Sequence, residues 1–465
     1  MQRDWDYIII GAGSAGSTLA SRLSQNPACS VLLVEAGGRD LSAQIKVPGL
    51  LEGALTNPAL SWSYLGEPDP TLNGRRLTWA AGRVVGGSSS INGMVYGRGL
   101  PADYDRWAAD GAAGWGWSDM APYFKRIEHW TGPPDARRGQ DGPLWVRRFD
   151  QTDPSCAAAM QALIDLGVPP VDDYSVGIAE GIGLTQATQK KGWRHSAANA
   201  YLGPAWRRGN LTVMTGAQAQ KLLFDGLHCL GVRVFRRGKT IDLHARCETI
   251  VSAGAIGAPK LLLLSGVGPA EELKALGIEV VHNLPGVGRG LNDHVNIKLS
   301  AHVHSRTYNT RRKGLSALGE GLRFAINRSG AAASPANHVQ AFVRTDPESP
   351  VADVQLQIMP FGFGSDAEMA RDGLTVVVSP CQPEVRGAVT LGSADPDIAP
   401  KITIALLDSE RDRARLLRGC RLALQALQQG PVRAFGGQVY APRQNAPTDE
   451  EWLTFFRQTA ALNWH

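Results

Sequence analysis

The run Asp6-Tyr-Ile-Ile-Ile10, followed at once by Gly11-Ala-Gly-Ser-Ala-Gly16, restricts the fold of this chain more than any other feature. The apolar run reads as a buried strand, Ser17 to Leu23 carries apolar residues at helical spacing, and Val31-Leu-Leu-Val34 reads as a second buried strand. Strand, glycine turn, helix and strand in that order make a βαβ unit. In G-x-G-x-x-G, Gly11 allows the tight turn, Gly13 lets the backbone approach a pyrophosphate, and Gly16 lets the helix pack on the strand. Ser14 and Ala15, within this glycine turn, are candidate cofactor contacts, and the N-terminus of the helix that follows points its free N–H groups at phosphate. Glu35 ends the second strand, 19 residues after Gly16, where a carboxylate accepts hydrogen bonds from ribose hydroxyls and repels a 2′-phosphate. The fingerprint alone leaves both FAD and NAD open, and with them a plain NAD dehydrogenase.

The rest of the 465 residues suggest two kinds of architecture. Residues 40–80 hold Pro48, Pro58, Pro68 and Pro70 and read as loop; residues 101–130 are rich in Trp and partly helical. A second βα pattern runs from Glu248-Thr-Ile-Val-Ser252 into Pro259-Lys-Leu-Leu-Leu-Leu264. After residue 294 the period changes. Val295, Ile297, Leu299, Ala301 and Val303 alternate with polar residues, as do Val354, Leu356 and Ile358, and similar runs span 339–343, 374–378 and 389–391. Period two predicts a half-buried antiparallel sheet. The expected class is therefore α/β with an α+β substrate part: a Rossmann-like dinucleotide domain and a second domain on an antiparallel sheet.

A long stretch narrows the cofactor. Gly82-Arg-Val-Val-Gly-Gly-Ser-Ser-Ser-Ile-Asn-Gly-Met-Val-Tyr-Gly-Arg-Gly99 resembles the first signature of the glucose–methanol–choline (GMC) oxidoreductases, and Gly254-Ala-Ile-Gly-Ala-Pro-Lys-Leu-Leu-Leu-Leu-Ser-Gly-Val-Gly268 resembles the second, departing at Ala258 where the family has Ser or Thr. Asp103 to Trp107, Gly114 to Phe124, Arg194 to Leu202 and Leu284 to His294 also fit, so the resemblance covers most of the chain. It implies FAD, with Asn92, Gly93, Met94 and Val95 beside the flavin and Trp62 flanking it. Further contacts implied are Ala36, Arg83, Val85, Gly86, Gly87, Ser88, Ala219, Ala253 and Gly254. Some members attach FAD through a histidine in the Ser-Ser-x-x-Asn segment; the matching position here is Ile91, so non-covalent FAD is expected. The implied organisation is a FAD-binding region over 1–294 (core about 6–40, 82–99 and 210–294), a substrate sheet domain over 295–440, and a segment 441–465 returning to the FAD domain.

The implied chemistry is oxidation of a primary alcohol to an aldehyde, with oxygen or another electron acceptor, the nearest members acting on hydroxymethyl-furan, aryl or choline-type alcohols. Phe456-Arg-Gln-Thr-Ala-Ala-Leu-Asn-Trp-His465 resembles the approach to the family's catalytic histidine, making His465 the expected base; a histidine pKa near neutrality suits that task. In relatives this histidine opens His-x-x-Gly-Thr and a second His or Asn follows, whereas here His465 is last. The expectation is a truncated form of a longer protein, with His465 either catalytic or a frayed terminus. Two alternatives accompany it: a catalytically incompetent FAD-binding protein, and a light-driven fatty-acid decarboxylase on the same scaffold.

Other features carry less. His302 and His304 share a strand face but lack a third metal ligand, so a polar sheet face is the expectation and no metal. His195 either lines the substrate cavity or is a satisfied structural histidine. Trp464 is expected near the site. His338, Cys156 and Cys381 have no assigned function. No Lys/Arg block occurs and net charge is only +5, which excludes nucleic acid and leaves a slight bias toward an anionic substrate or a membrane surface. No apolar stretch is long enough to span a membrane, no signal peptide opens the chain, and none of the six cysteines forms C-x-x-C, so a reducing, cytoplasmic location is expected. Oligomeric state is open.

Overall fold

The computed structural model describes residues 4–178 and 180–464. Its N-terminal unit is β1 (Trp5–Ile10), α1 (Ser14–Leu23) and β2 (Val31–Val34). β2 is buried along its whole length, as a parallel strand covered on both faces must be. Successive side chains divide between two apolar clusters: Ile8, Ile10, Leu32 and Val34 enter one, Ile9, Val31 and Leu33 the other. α1 packs through Gly16, Ser17 and Ala20, small residues that bring its axis close to the sheet. The sheet continues through β3 (Leu211–Met214), β4 (Ala217–Asp225), β5 (His228–Arg236) and β6 (Lys239–Val251), in the order β3-β2-β1-β6-β5-β4. The 13 residues of β6 serve two functions: its second half lies parallel to β1, and its first half closes an antiparallel ribbon with β5. α2 (Gly254–Leu264) follows, starting earlier than the sequence pattern suggests and carrying Pro259 within it.

The second sheet has seven strands, six of them in the order β11-β7-β10-β9-β8 followed by the edge strand Gly181–Leu184: β7 (Val295–His302), β8 (Val339–Val343), β9 (Val354–Met359), β10 (Gly373–Pro380) and β11 (Gln438–Ala441). β12 (Ala461–Leu462) adds to the start of β7. All pairings are antiparallel. One edge strand thus comes from the first half of the chain, as does the helix Pro154–Asp165, which with α3 (Glu410–Leu427) covers one face. On that face Val295, Ile297 and Leu299 meet Val376, Val378, Leu356 and Ile358 in the main apolar core.

Three expectations need correction. The second sheet is more than half-buried: on its polar face Asn296, Ser300, Gln340, Thr375 and Ser379 are all at 2% exposure or less, while Lys298, Gln355 and Met359 are half-buried. Alternation therefore reports here two different buried environments, not core against water. Residues 40–80 are not plain loop, because Ser42 caps the helix Ala43–Lys46, Leu51–Thr56 forms another, and Pro48 and Pro70 start 3-10 turns at the position where a missing N–H costs nothing. The segment 389–391 contributes to a separate three-stranded sheet, through Gly387–Thr390.

Candidate active site

The glycine fingerprint has the geometry its spacing implies. A Cβ on Gly16 would lie 1.9 Å from the Gly11 carbonyl oxygen, and one on Gly11 2.5 Å from that of Ser252, so both are fixed by backbone contact. Gly13 differs, since a Cβ there meets nothing nearer than 3.9 Å. Gly13 is also the N-cap of α1 and offers no side-chain cap, and the first turn carries no acid. The amides of Ser14, Ala15 and Gly16 are left to an outside acceptor, an arrangement suited to a pyrophosphate.

Glu35 is 6% exposed, and both its oxygens are held by the backbone: Ala12 N–H donates to one at 2.9 Å and Gly37 N–H to the other at 2.8 Å. Burial pushes its pKa up to about 6 against the opposing effect of those amides. Each carboxylate oxygen keeps a second lone pair for a ribose hydroxyl. Ala36 follows it. Gly216 N–H donates to Gly37 O and Ala217 N–H to Glu35 O, which brings the start of β4, with Ala219, to the same end of the sheet. Ala253 caps α2, and Gly254 beside it takes φ +80° with open space around it.

The stretch 82–95 lies directly on this fingerprint. Gly86 N–H donates to Ala12 O at 2.7 Å, and a Cβ on Gly87 would sit 2.6 Å from Gly13 Cα. Gly86 (φ +93°) turns the chain into the 3-10 turn Gly87–Ser90, and Ser88 Oγ accepts from Gly82 N–H. Val85 is buried and bonds through its N–H to Gly38 O. Arg83 lies over the Trp62 ring at 4.6 Å, and its buried Nε has no partner among the described residues. Asn92 Oδ1 accepts from Met94 N–H, Met94 takes φ +63°, Gly93 abuts Ala336, and Val95 bridges to Ala187. Ile91, at 2% exposure, has no nucleophilic atom to offer a flavin. Uncapped amides, an orphan guanidinium N–H and open glycines fit a bound dinucleotide anion.

Sequence reasoning passed over one residue here. Arg194 is 2% exposed, donates to Asn92 Oδ1 at 2.7 Å and to Ile45 O at 2.9 Å, and forms no ion pair among the described residues. Burial lowers its pKa to about 9, which leaves it charged at neutral pH. The sequence held its motif, but its partner stands 102 residues away.

The candidate base, His465, lies outside the described residues. The residues before it are held firmly. β12 pairs with Val295 and Asn296, Asn463 donates to Ser379 Oγ at 3.1 Å and accepts from Asn296 at 2.8 Å, and Trp464 N–H donates to Asp293 at 2.9 Å. Trp464 Nε1 also reaches Thr78 O. The other histidines do different work. His302 closes β7 and stacks on Tyr440, while His304 lies beyond the strand end, so the two do not share a strand face; no group of metal-binding side chains occurs among the described residues. His195 Nδ1 accepts from Trp145 N–H and burial holds its pKa near 4, as a structural histidine. His338 is fully buried between Asp153 N–H, Ser334 and Tyr308. Burial pushes the Cys156 and Cys381 thiols up, which makes both inert.

Comparison with known proteins agrees with this geometry. The N-terminal family model described as GMC oxidoreductase matches residues 5–296, and the C-terminal model of the same description matches 383–465. An oxygen-dependent choline dehydrogenase of Rhizobium etli is 37% identical over 99% of this chain and 84% of its own length. Among solved structures, pyridoxine 4-oxidase from Mesorbium loti superposes with TM-score 0.87 at 26% identity, covering 99% of this chain and 88% of that one. An FAD-dependent oxidoreductase from Chaetomium thermophilum gives 0.89 at 26% identity over the same shares.

Proposed function

Because the chain belongs to the GMC oxidoreductase family and is an FAD-dependent oxidoreductase acting on CH–OH donors, we propose that it oxidises a primary alcohol to the aldehyde. The observation that carries this reading is the anchoring of Asn463 and Trp464 against the start of β7, beside the polar face of the second sheet. A side chain serves as a base only if its backbone is held, since it must come within about 3 Å of the proton it takes.

In this reading His465 takes the hydroxyl proton of the alcohol. The carbon then gives up hydride as its oxygen forms the carbonyl double bond, so one proton and one hydride leave for each aldehyde formed. FAD, when bound, supplies the hydride acceptor at its N5. The chain's own residues hold and orient: the α1 amides and Gly13 take the pyrophosphate, Glu35 the ribose, and the stretch 86–95, braced by Arg194 through Asn92, sets the flavin end. Oxygen or another acceptor takes the electrons onward. The six cysteines are all free thiols, in keeping with a reducing compartment such as the cytoplasm, and no helix among the described residues is long and apolar enough to cross a membrane. The NAD, inert-flavoprotein and fatty-acid decarboxylase readings are not favoured by the relatives. Anaerobic addition of aryl-methyl, furan-methyl and choline-type alcohols to the yellow protein tests the proposal. Bleaching of the flavin band by at least one of them is expected; a band that survives them all sinks it.

A further inference from the structure

The polar face of the second sheet carries a charge that no described residue balances with an ion pair. Lys298 follows Asn296 on the same face of β7, one full pleat along, with Ser300 beyond it. The four central strands β7 to β10 contain no Asp or Glu at all. Lys298 forms no salt bridge with any described residue; its Nζ lies 4.5 Å from the centre of the Phe363 ring, whose backbone N–H is tied to Ser300. Burial alone pushes its pKa down, with no neighbouring charge contributing. Lys298 is half-buried, and an ammonium partly withdrawn from water is ordinarily paired, because its desolvation is costly. Asn296, the neighbour of Lys298 on this face, donates through Nδ2 to Asn463 Oδ1, and its own Oδ1 has no partner among the described residues.

Resting on the reading of the C-terminal end as the catalytic end, we propose that Lys298 binds the anionic group of the substrate, which is a primary alcohol that also bears a carboxylate. The step from Asn296 to Lys298 is about 7 Å along the strand. A backbone step of that size is on the order of the span of an aromatic ring with hydroxymethyl and carboxylate at opposite ends. Phe363, over the lysine, offers its ring to the ring of such a substrate as well as to the ammonium. A quaternary-ammonium alcohol meets like charge at the same point. Choline, the substrate named for the Rhizobium etli relative, is therefore disfavoured here despite the 37% identity.

The test is a binding measurement on the holoenzyme that needs no turnover. Calorimetry compares 4-methylbenzoate with the neutral 4-methylbenzamide on the wild type and on Lys298→Met and Lys298→Arg. The expected result is a preference for the carboxylate of about tenfold or more in the wild type, lost in Lys298→Met and kept in Lys298→Arg. A wild type that does not prefer the carboxylate overturns the proposal, whatever the variants do. So does a folded Lys298→Met, judged by its Tm, that keeps the full preference. Turnover of 4-(hydroxymethyl)benzoate against benzyl alcohol then separates the two readings. Flavin reduced by neither alcohol, with the binding preference intact, rejects the oxidation chemistry and leaves the lysine site standing. Equal reduction by both, with no binding preference, does the reverse.

Discussion

The two sheets of this protein encode their binding sites in different materials. The first sheet recognises through its backbone: Gly11, Gly13, Gly16, Gly86 and Gly87 matter for the side chains they lack, and the groups on offer are amides. The second recognises through side chains: Asn296, Lys298 and Ser300 project from one face of β7 while Val295, Ile297 and Leu299 build the core behind them. A backbone site tolerates almost no substitution but serves any chain that binds the same cofactor. A side-chain site can be rewritten residue by residue on an unchanged sheet. The chain thus keeps the family's cofactor end while its substrate end is free to diverge.

Substitutions at both ends sharpen that contrast. The largest loss is expected from Gly16→Ala, whose Cβ would stand 1.9 Å from a backbone oxygen. Overpacking against main chain costs about 3 kcal/mol or more, and the purified variant should lack flavin absorbance. Full flavin content would show that the α1–β1 contact is slack. Arg194→Met comes next. It removes buried charged hydrogen bonds to Asn92 and Ile45, each worth about 1.5–3 kcal/mol, and the FAD dissociation constant should rise at least about tenfold. Unchanged affinity in fluorescence titration would reduce Arg194 to packing.

Glu35 gives a smaller effect with a definite sign. Its folded pKa, about 6, stands above the ordinary carboxylate value of 4.5, so the folded state holds the proton more tightly. Its contribution to apoprotein stability is fully present below pH 4.5 and is lost as pH rises through about 6, by about 2 kcal/mol in all. Glu35→Gln should flatten that part of the denaturation profile, and an unaltered slope would contradict the assigned shift. The smallest change belongs to the side-chain end: Asn463→Ala loses two hydrogen bonds, about 1 kcal/mol each, and should slow flavin reduction by alcohol about tenfold with flavin content retained.

The same contrast explains what could be read from the sequence. Glycine sterics act over a few residues, so the βαβ unit, the 82–99 stretch and the turn at Gly254 were visible in the chain. Period two in 295–303 announced an antiparallel sheet. It could not say that the polar side is partly covered by Phe363, Tyr440 and Asn463, because the covering residues come from distant segments of the chain. Arg194 escaped notice for the same reason, its meaning residing in Asn92. The short helices of 43–56 were hidden behind prolines that, at first-turn positions, start turns as readily as they break them.

In the proposed function this protein breaks the C–H bond of an alcohol, and bound flavin takes the hydride. The most direct test of that step is anaerobic stopped-flow reduction of the holoenzyme by a primary alcohol and by the same alcohol with deuterium on the carbinol carbon. Bleaching of the flavin band is expected to be several-fold slower with the deuterated alcohol. Bleaching at equal rates with both alcohols, and no aldehyde among the products, would contradict it.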